Sequence, residues 1–252
     1  MNKTVYLSPH LDDAVLSCGA IIWDQIRRHN QVEIWTIFAG DSLQPELSPF
    51  AREIHQRWQT GDSAPSLRRA EDNLACERLG VVPQHLPYPD CIYRRVPGTD
   101  RPLIEKKEDL FQPLSESERP LVDEIVRHIR QNLPSEATLV IPLGIGNHID
   151  HQIVRQVGEV LNPSRFYYAD FPYSAGHTEE LQQLLPQGSS TFHFPINNQS
   201  LAAWQFAIEA YTSQLSSFWS SLSGMYNSLD AYAKTPLGNC LWQSDRTETL
   251  LK

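Results

Sequence analysis

Two short stretches concentrate histidine and aspartate: Ser8-Pro9-His10-Leu11-Asp12-Asp13 near the start, and Gly144-Ile145-Gly146-Asn147-His148-Ile149-Asp150-His151 past the middle. Imidazole nitrogen and carboxylate oxygen are zinc ligands, and a catalytic zinc uses three protein ligands with a fourth position open. His10 and Asp13, three residues apart, can converge on one ion, and His151 can complete the set. Asp12 and His148 then flank the open position. That supplies one carboxylate able to take a proton from water and one imidazole able to stabilise or protonate what forms. Each stretch alone is a weak signal. Nine histidines in 252 residues give roughly 0.3 His-x-x-His pairs by chance. The paired aspartates also suit a helix N-terminus, His148 suits a position beside an N-cap, and His151 suits a core histidine bonded to a carbonyl. The metal reading requires the two stretches to meet.

The elements around them predict that meeting. Residues 4–9 read as a short buried strand, and apolar residues Val15, Leu16, Ile22, Trp23 and Ile26 recur at helical spacing from Asp12 to about Arg28. A second strand is expected over 32–40, a short helix around 50–58 and a helix over 66–79 ended by Gly80. A third strand near 84–88 follows, then a polar, proline-bearing stretch over 91–117 with the character of a surface loop. Beyond it come a helix (118–132), a strand (138–144), a helix (149–161) and a strand (165–171). Strands alternating with helices predict an α/β, Rossmann-like fold, a single domain over 1–252 with a mostly parallel sheet covered by helices on both faces. Strand order 3-2-1-4 makes strands one and four neighbours where the winding reverses, and ligands of such sheets bind beyond the C-terminal strand ends at that crevice. The loops after strands one and four are the two stretches above. Farther on, a strand over 191–195 and a helix over 198–218 are expected, followed by a serine-rich tail with aromatics Phe218, Trp219, Tyr226 and Tyr232. These aromatics are expected to pack rather than to stack on a sugar, unless the tail folds over the crevice.

Composition narrows the function. A net charge of −9 and a pI near 5.4, without a long basic cluster, argue against nucleic-acid binding. No apolar run reaches the ~20 residues of a membrane span. Cys18, Cys76, Cys91 and Cys240 lie far apart without Cys-x-x-Cys pairing, which points to reduced thiols in a cytoplasmic chain and away from a cysteine-based zinc finger. A nucleotide fits poorly, because no Gly-x-Gly-x-x-Gly follows strand one and two acids there would repel a pyrophosphate.

The segment SPHLDDAVLSCG (8–19) together with HIDH (148–151) resembles the PIG-L/LmbE-like family of zinc-dependent N-acetylglucosamine deacetylases. The likeness continues through Arg68-Arg69-Ala70-Glu71, Ala75 and Leu79-Gly80, Asp90, and YYADFPY (167–173), so it spans roughly residues 4–173. Only a loose likeness reaches the extension 190–252, in Ala207 and Tyr211-Thr212-Ser213-Gln214. The resemblance implies zinc, or iron(II) on the same ligands, held by His10, Asp13 and His151. It implies Asp12 as general base, His148 as oxyanion stabiliser or proton donor to the leaving amine, and Asp150 orienting His148. Arg68 and Asp90 are implied to contact the sugar. Leu11 stands where proline is commoner, Ala14 where an acid is frequent, and Gly146 where some members carry a tyrosine.

The expected activity is hydrolysis of an N-acetyl or similar acyl group from an amino sugar or its conjugate. The alternatives are a related amidase on a thiol conjugate or glycosylated natural product, and a non-catalytic sugar-binding module on the same fold. Without the family, Arg68 and Glu71 read most simply as an i, i+3 surface ion pair. His29, His55, His85, His128, His177 and His193 have no partner at ligand spacing and read as surface or ordinary core residues.

Overall fold

The computed structural model describes residues 3–161, 165–176 and 178–244. In chain order the elements are β1 (Thr4–Ser8), α1 (Asp13–Arg27), β2 (Val32–Thr36), α2 (Pro49–Trp58), α3 (Ala64–Leu79), β3 (Val82–His85), α4 (Arg119–Asn132), β4 (Thr138–Pro142), α5 (Ile149–Leu161) and β5 (Arg165–Tyr168). They continue as α6 (Thr178–Leu184), β6 (Ser190–His193), α7 (Asn198–Ile208), α8 (Thr212–Phe218), α9 (Leu222–Ala233), α10 (Pro236–Asn239) and β7 (Cys240–Gln243). One sheet of order β3-β2-β1-β4-β5-β7-β6 runs through the molecule. The first five strands are parallel, with β1 between β2 and β4. The 3-2-1-4 order read from the sequence is the order observed. β7 runs antiparallel to both of its neighbours, β5 and β6, so β6 keeps the direction of the first five strands, and β7 had no expectation in the sequence.

Residues Val5–Leu7 and Leu139–Ile141 are buried on both faces, as continuous apolar strands of a doubly covered parallel sheet must be. Gly80 ends α3 with a positive φ of 78°, the left-handed residue expected after the last turn. At Gly19 in α1, an added Cβ would run into the indole of Trp204 on α7, so only a bare backbone lets these two helices approach. Trp204 is fully buried and donates from Nε1 to the Val15 carbonyl at 2.6 Å.

The helix expected over 198–218 is two helices, α7 and α8, broken at 209–211. No glycine or proline marks the break in the sequence. Tertiary bonds to α3 hold it: the Tyr211 hydroxyl donates to Asp72 (2.7 Å), and Thr212 and Ser213 donate to Glu71 (2.6–2.8 Å). Consequently α8 turns back toward the strand ends. The 91–117 stretch is ordered as well, with short 3₁₀ turns at 91–93, 107–111 and 116–118. Its Cys91, Ile92, Tyr93 and Ile104 form a small second core with Phe50 and Ile54 of α2. Among the described residues no helix is long and apolar enough to cross a membrane.

Candidate active site

The loops after β1 and β4 meet beyond the C-terminal ends of these neighbouring strands, as the topology requires. Asp12 occupies the N-cap position of α1, yet its side chain makes no cap hydrogen bond. Ser8 does the local work instead. Its hydroxyl accepts from the Ala14 N–H at 3.0 Å and donates to the His10 carbonyl at 2.7 Å. The Asp12 carboxylate is thereby free to face the crevice, while Asp13 Oδ2 accepts the His10 N–H at 2.8 Å.

Asp13 Oδ2 lies 3.2 Å from His10 Nδ1 and 3.3 Å from His151 Nε2. Ligands about 2.0–2.1 Å from a tetrahedral zinc stand about 3.3 Å apart, so each of these two pairs has the spacing of neighbouring ligands. His151 Nε2 is buried and satisfied by no hydrogen bond, a cost that a cation removes. The other ring nitrogens are held from behind. His151 Nδ1 is 2.7 Å from Asp170 Oδ1, and His10 Nε2 is 3.0 Å from Asp150 Oδ2. Carboxylates in this position fix the tautomer and direction of a metal-binding imidazole. The donor set therefore suits a divalent metal. Nitrogens of His10, His148 and His151 also lie within 4.8 Å of one another, as do ligand atoms of Cys91, His148 and Asp150.

Asp150 does not hold the His148 ring with its carboxylate. That carboxylate binds His10, accepts from the Cys91 N–H at 3.0 Å, and pairs with Arg94 at 2.7 Å. Only the backbone N–H of Asp150 reaches His148, at Nδ1 and 3.3 Å. With Nδ1 accepting, the proton of a neutral His148 sits on Nε2. Burial, and then the charges of His10 and His151, hold the His148 pKa well below the usual imidazole range.

The adjacent acids diverge. Burial and the Asp13 charge push Asp12 up to about 7, against the opposing pull of Arg68 and His10. For Asp13, burial is overruled by His151 and His10, which hold it well below the carboxylate range. One acid is poised to exchange protons near neutrality and the other stays ionised.

Arg68 does not form the surface pair with Glu71 that helical spacing suggests. It is buried, with guanidinium nitrogens 3.5 Å from Asp12 and 3.7 Å from Asp90, and its charge lies 4.7 Å from the Trp58 ring centre. Glu71 points the other way, to α8. His55, His85, His128 and His193 bond elsewhere, to Tyr93, Asp72, Tyr88 and Cys240; His177 lies outside the described residues.

His10, Asp12, Asp13, Arg68, Asp90 and His148 form the floor of a cleft of about 490 Å³. Its walls are Phe50, Ile54 and Trp58 of α2, Leu110 and Phe111 of the 91–117 loop, and Phe218 of α8. Of the tail aromatics Phe218 reaches the cleft, while Trp219 and Tyr232 pack against Phe171. Tyr173 lines the cleft between the histidine floor and the loop, edge-on to His151 with ring centres 5.7 Å apart. At Gly146 (φ 83°) an added Cβ would stand 3.1 Å from Tyr173. The space of a side chain at 146 is thus held by Tyr173.

Sequence reasoning missed Asp170 and Arg94. Asp170 Oδ2 accepts the N–H groups of Gly144 and Ile145 at 2.8 and 3.0 Å while Oδ1 holds His151, so one side chain sets both the loop and the ligand. The segment YYADFPY gave its only signal, an acid just past a strand end. Arg94 lies in a stretch with no periodicity, and nothing local marks it.

A doubly wound α/β sheet with a buried His/Asp/Cys group able to bind a metal at its switch point defines a metal-dependent hydrolase class. The chain belongs to the PIG-L family: the family described as GlcNAc-PI de-N-acetylase matches residues 5–161. The 2'-N-acetylparomamine deacetylase of Niallia circulans is 29% identical over 195 residues, which are 71% of this chain and 70% of the relative. The zinc-inhibited form of teicoplanin deacetylase Orf2 superposes with a TM-score of 0.82 at 28% identity, covering 98% of this chain and 100% of that one. The A40926 pseudoaglycone deacetylase Dbv21 superposes with a TM-score of 0.72 at 27% identity, covering 95% of each.

Proposed function

We propose that this protein removes the acetyl group from an N-acetylated amino sugar carried on an apolar aglycone. The observation that carries the reading is the placement of Asp13 between His10 and His151 on the floor of the cleft, with Asp12 and His148 beside them. The names of the relatives, deacetylases of 2'-N-acetylparomamine, of teicoplanin and of the A40926 pseudoaglycone, support the same chemistry.

In this reading His10 Nδ1, Asp13 and His151 Nε2 hold zinc, or iron(II) by the same donors. A divalent metal bound there supplies Lewis acidity toward the amide carbonyl and makes water acidic enough to attack near neutral pH. Asp12 takes the proton of the attacking water and passes it to the departing amine nitrogen. A pKa near 7 suits it to both transfers. His148 donates from Nε2 to the oxygen that gains negative charge. Tyr173 is a second donor to that oxygen. Its hydroxyl makes no hydrogen bond among the described residues, and burial followed by the nearby acids raises its pKa, so it keeps its proton. Asp150 and Asp170 orient the two imidazole ligands, while Arg68 and Asp90 bind sugar hydroxyls. The aromatic and aliphatic walls above this polar floor suit an apolar aglycone better than a polyamine one. Four free, buried cysteines fit a reducing, cytoplasmic setting.

The test is release of free amine and acetate from N-acetylglucosaminides by zinc-loaded protein, comparing an aryl or alkyl aglycone with an aminocyclitol. Faster turnover of the apolar conjugates is expected. Absence of amine release from every conjugate contradicts the activity, and preference for the aminocyclitol contradicts the aglycone.

A further inference from the structure

Gln214 lines the cleft from α8, and its amide has a fixed orientation. Glu71 accepts from the Thr212 hydroxyl at 2.6 Å, the Ser213 N–H at 2.8 Å and the Ser213 hydroxyl at 2.6 Å. Ser213 Oγ in turn meets Gln214 Nε2 at 2.8 Å. A hydroxyl has a single proton, and a carboxylate can only accept. The Ser213 proton therefore goes to Glu71, and toward Gln214 the serine oxygen can only accept. Gln214 must present its NH₂ to Ser213, which leaves Oε1 as its free end. That oxygen accepts no hydrogen bond among the described residues. All three side chains are buried, with Glu71 at 6%, Ser213 at 6% and Gln214 at 5% exposure, so the chain of bonds is shielded from competing water.

We infer that Gln214 Oε1 is a preset acceptor for one hydroxyl of the bound sugar, and that Glu71 and Ser213 are positioning residues that prevent the amide from flipping. The inference rests on the proposed sugar substrate and extends it. Arg68 offers donors only, so a hydroxyl lying between the two sides of the cleft would donate to Gln214 and accept from the arginine side. The adjacent acids Glu71 and Asp72 both serve α8: Glu71 holds its first residues, and Asp72 holds Tyr211 at 2.7 Å while also meeting His85 at 2.8 Å. A motif acid that looks like an ion-pair partner of Arg68 thus acts, through Ser213, on another lining residue of the same cleft.

The experiment is steady-state kinetics of the zinc-loaded wild type, Gln214→Met and Ser213→Ala on phenyl N-acetyl-glucosaminide and its 3-, 4- and 6-deoxy forms. Gln214→Met keeps length and removes the acceptor. Ser213→Ala keeps the glutamine and releases its orientation. Both are expected to raise KM on the parent glycoside about 5- to 12-fold, the worth of one neutral hydrogen bond, with kcat within about 3-fold and metal content unchanged. With one of the deoxy sugars, wild type and Gln214→Met should become equal, which identifies the hydroxyl. An equal penalty on the parent and all three deoxy forms, or a Ser213→Ala variant with lowered Tm and unchanged KM, overturns the inference. If the wild type releases no amine from the parent glycoside, the sugar-deacetylase reading fails and takes this inference with it. If it does and the variants match it, only the inference fails.

Discussion

The Nε2 atom of His10 lies 3.0 Å from Oδ2 of Asp150, a residue 140 positions later in the chain. This contact closes the crevice between the loops after β1 and β4. It also fixes which nitrogen of His10 faces Asp13, because one ring nitrogen is committed to Asp150 and the other is left at 3.2 Å from Asp13 Oδ2. Asp150→Ala should therefore act through metal retention. Removing a carboxylate that orients a ligand imidazole costs about 10–100-fold in metal affinity, measurable by competition with a chromophoric chelator. Unchanged affinity with lowered activity would return Asp150 to an action on His148.

The neighbouring acids Asp12 and Asp13 separate by function. Asp12→Asn should retain zinc and lose about 10²–10⁴-fold in kcat, the usual contribution of general acid–base catalysis. Asp13→Asn should lose zinc, and excess zinc should partly restore its rate. Elemental analysis beside kinetics distinguishes them. Near-full activity in Asp12→Asn contradicts its role as base.

Tyr173→Phe isolates the second oxyanion donor. Loss of one such donor lowers kcat by up to about 10²–10³-fold, and KM and zinc content should stay near wild type. A rise in KM with kcat unchanged would show instead that the phenol grips substrate.

In metal-free protein the histidine floor makes stability depend on pH. Burial alone lowers the pKa of His151, but Asp13 and Asp170 overrule it and raise it from 6.5 to about 9. The folded state thus holds a proton that the unfolded chain releases above 6.5. This stabilisation is complete below that pH and is lost as pH rises through about 9. The Tm of metal-free protein should fall over this window, and zinc, which requires neutral imidazole, should flatten the fall. A metal-free Tm that is constant or rises between those values contradicts the coupling.

Gly19→Ala tests the packing of α1 on α7. A methyl group there meets the Trp204 indole, and overpacking of this kind costs about 1–3 kcal/mol. Chemical denaturation should show the loss, with zinc affinity retained. A variant as stable as wild type would mean that the two helices can separate freely.

The alternation of strand and helix, the order of the first four strands and the two loops that bear the site follow from local signals. Hydrophobic period, a glycine at φ 78° after α3 and clustered ligand types are each written within a few residues. The bounds of β3 shift, from an expected 84–88 to Val82–His85, because strand ends depend on pairing with β2. What only the tertiary structure decided is which partner each charged side chain takes. Helical spacing offered Arg68 to Glu71, but burial brings it to Asp12 and Asp90, and Glu71 goes to Ser213. The break between α7 and α8, the antiparallel β7 and the place of Arg94 were likewise illegible, and of Asp170 only its position just past a strand end could be read. A hydrogen bond or ion pair is chosen by what the folded chain brings within about 3 Å, and residues 26 or 140 positions apart leave no trace of that proximity in the local pattern.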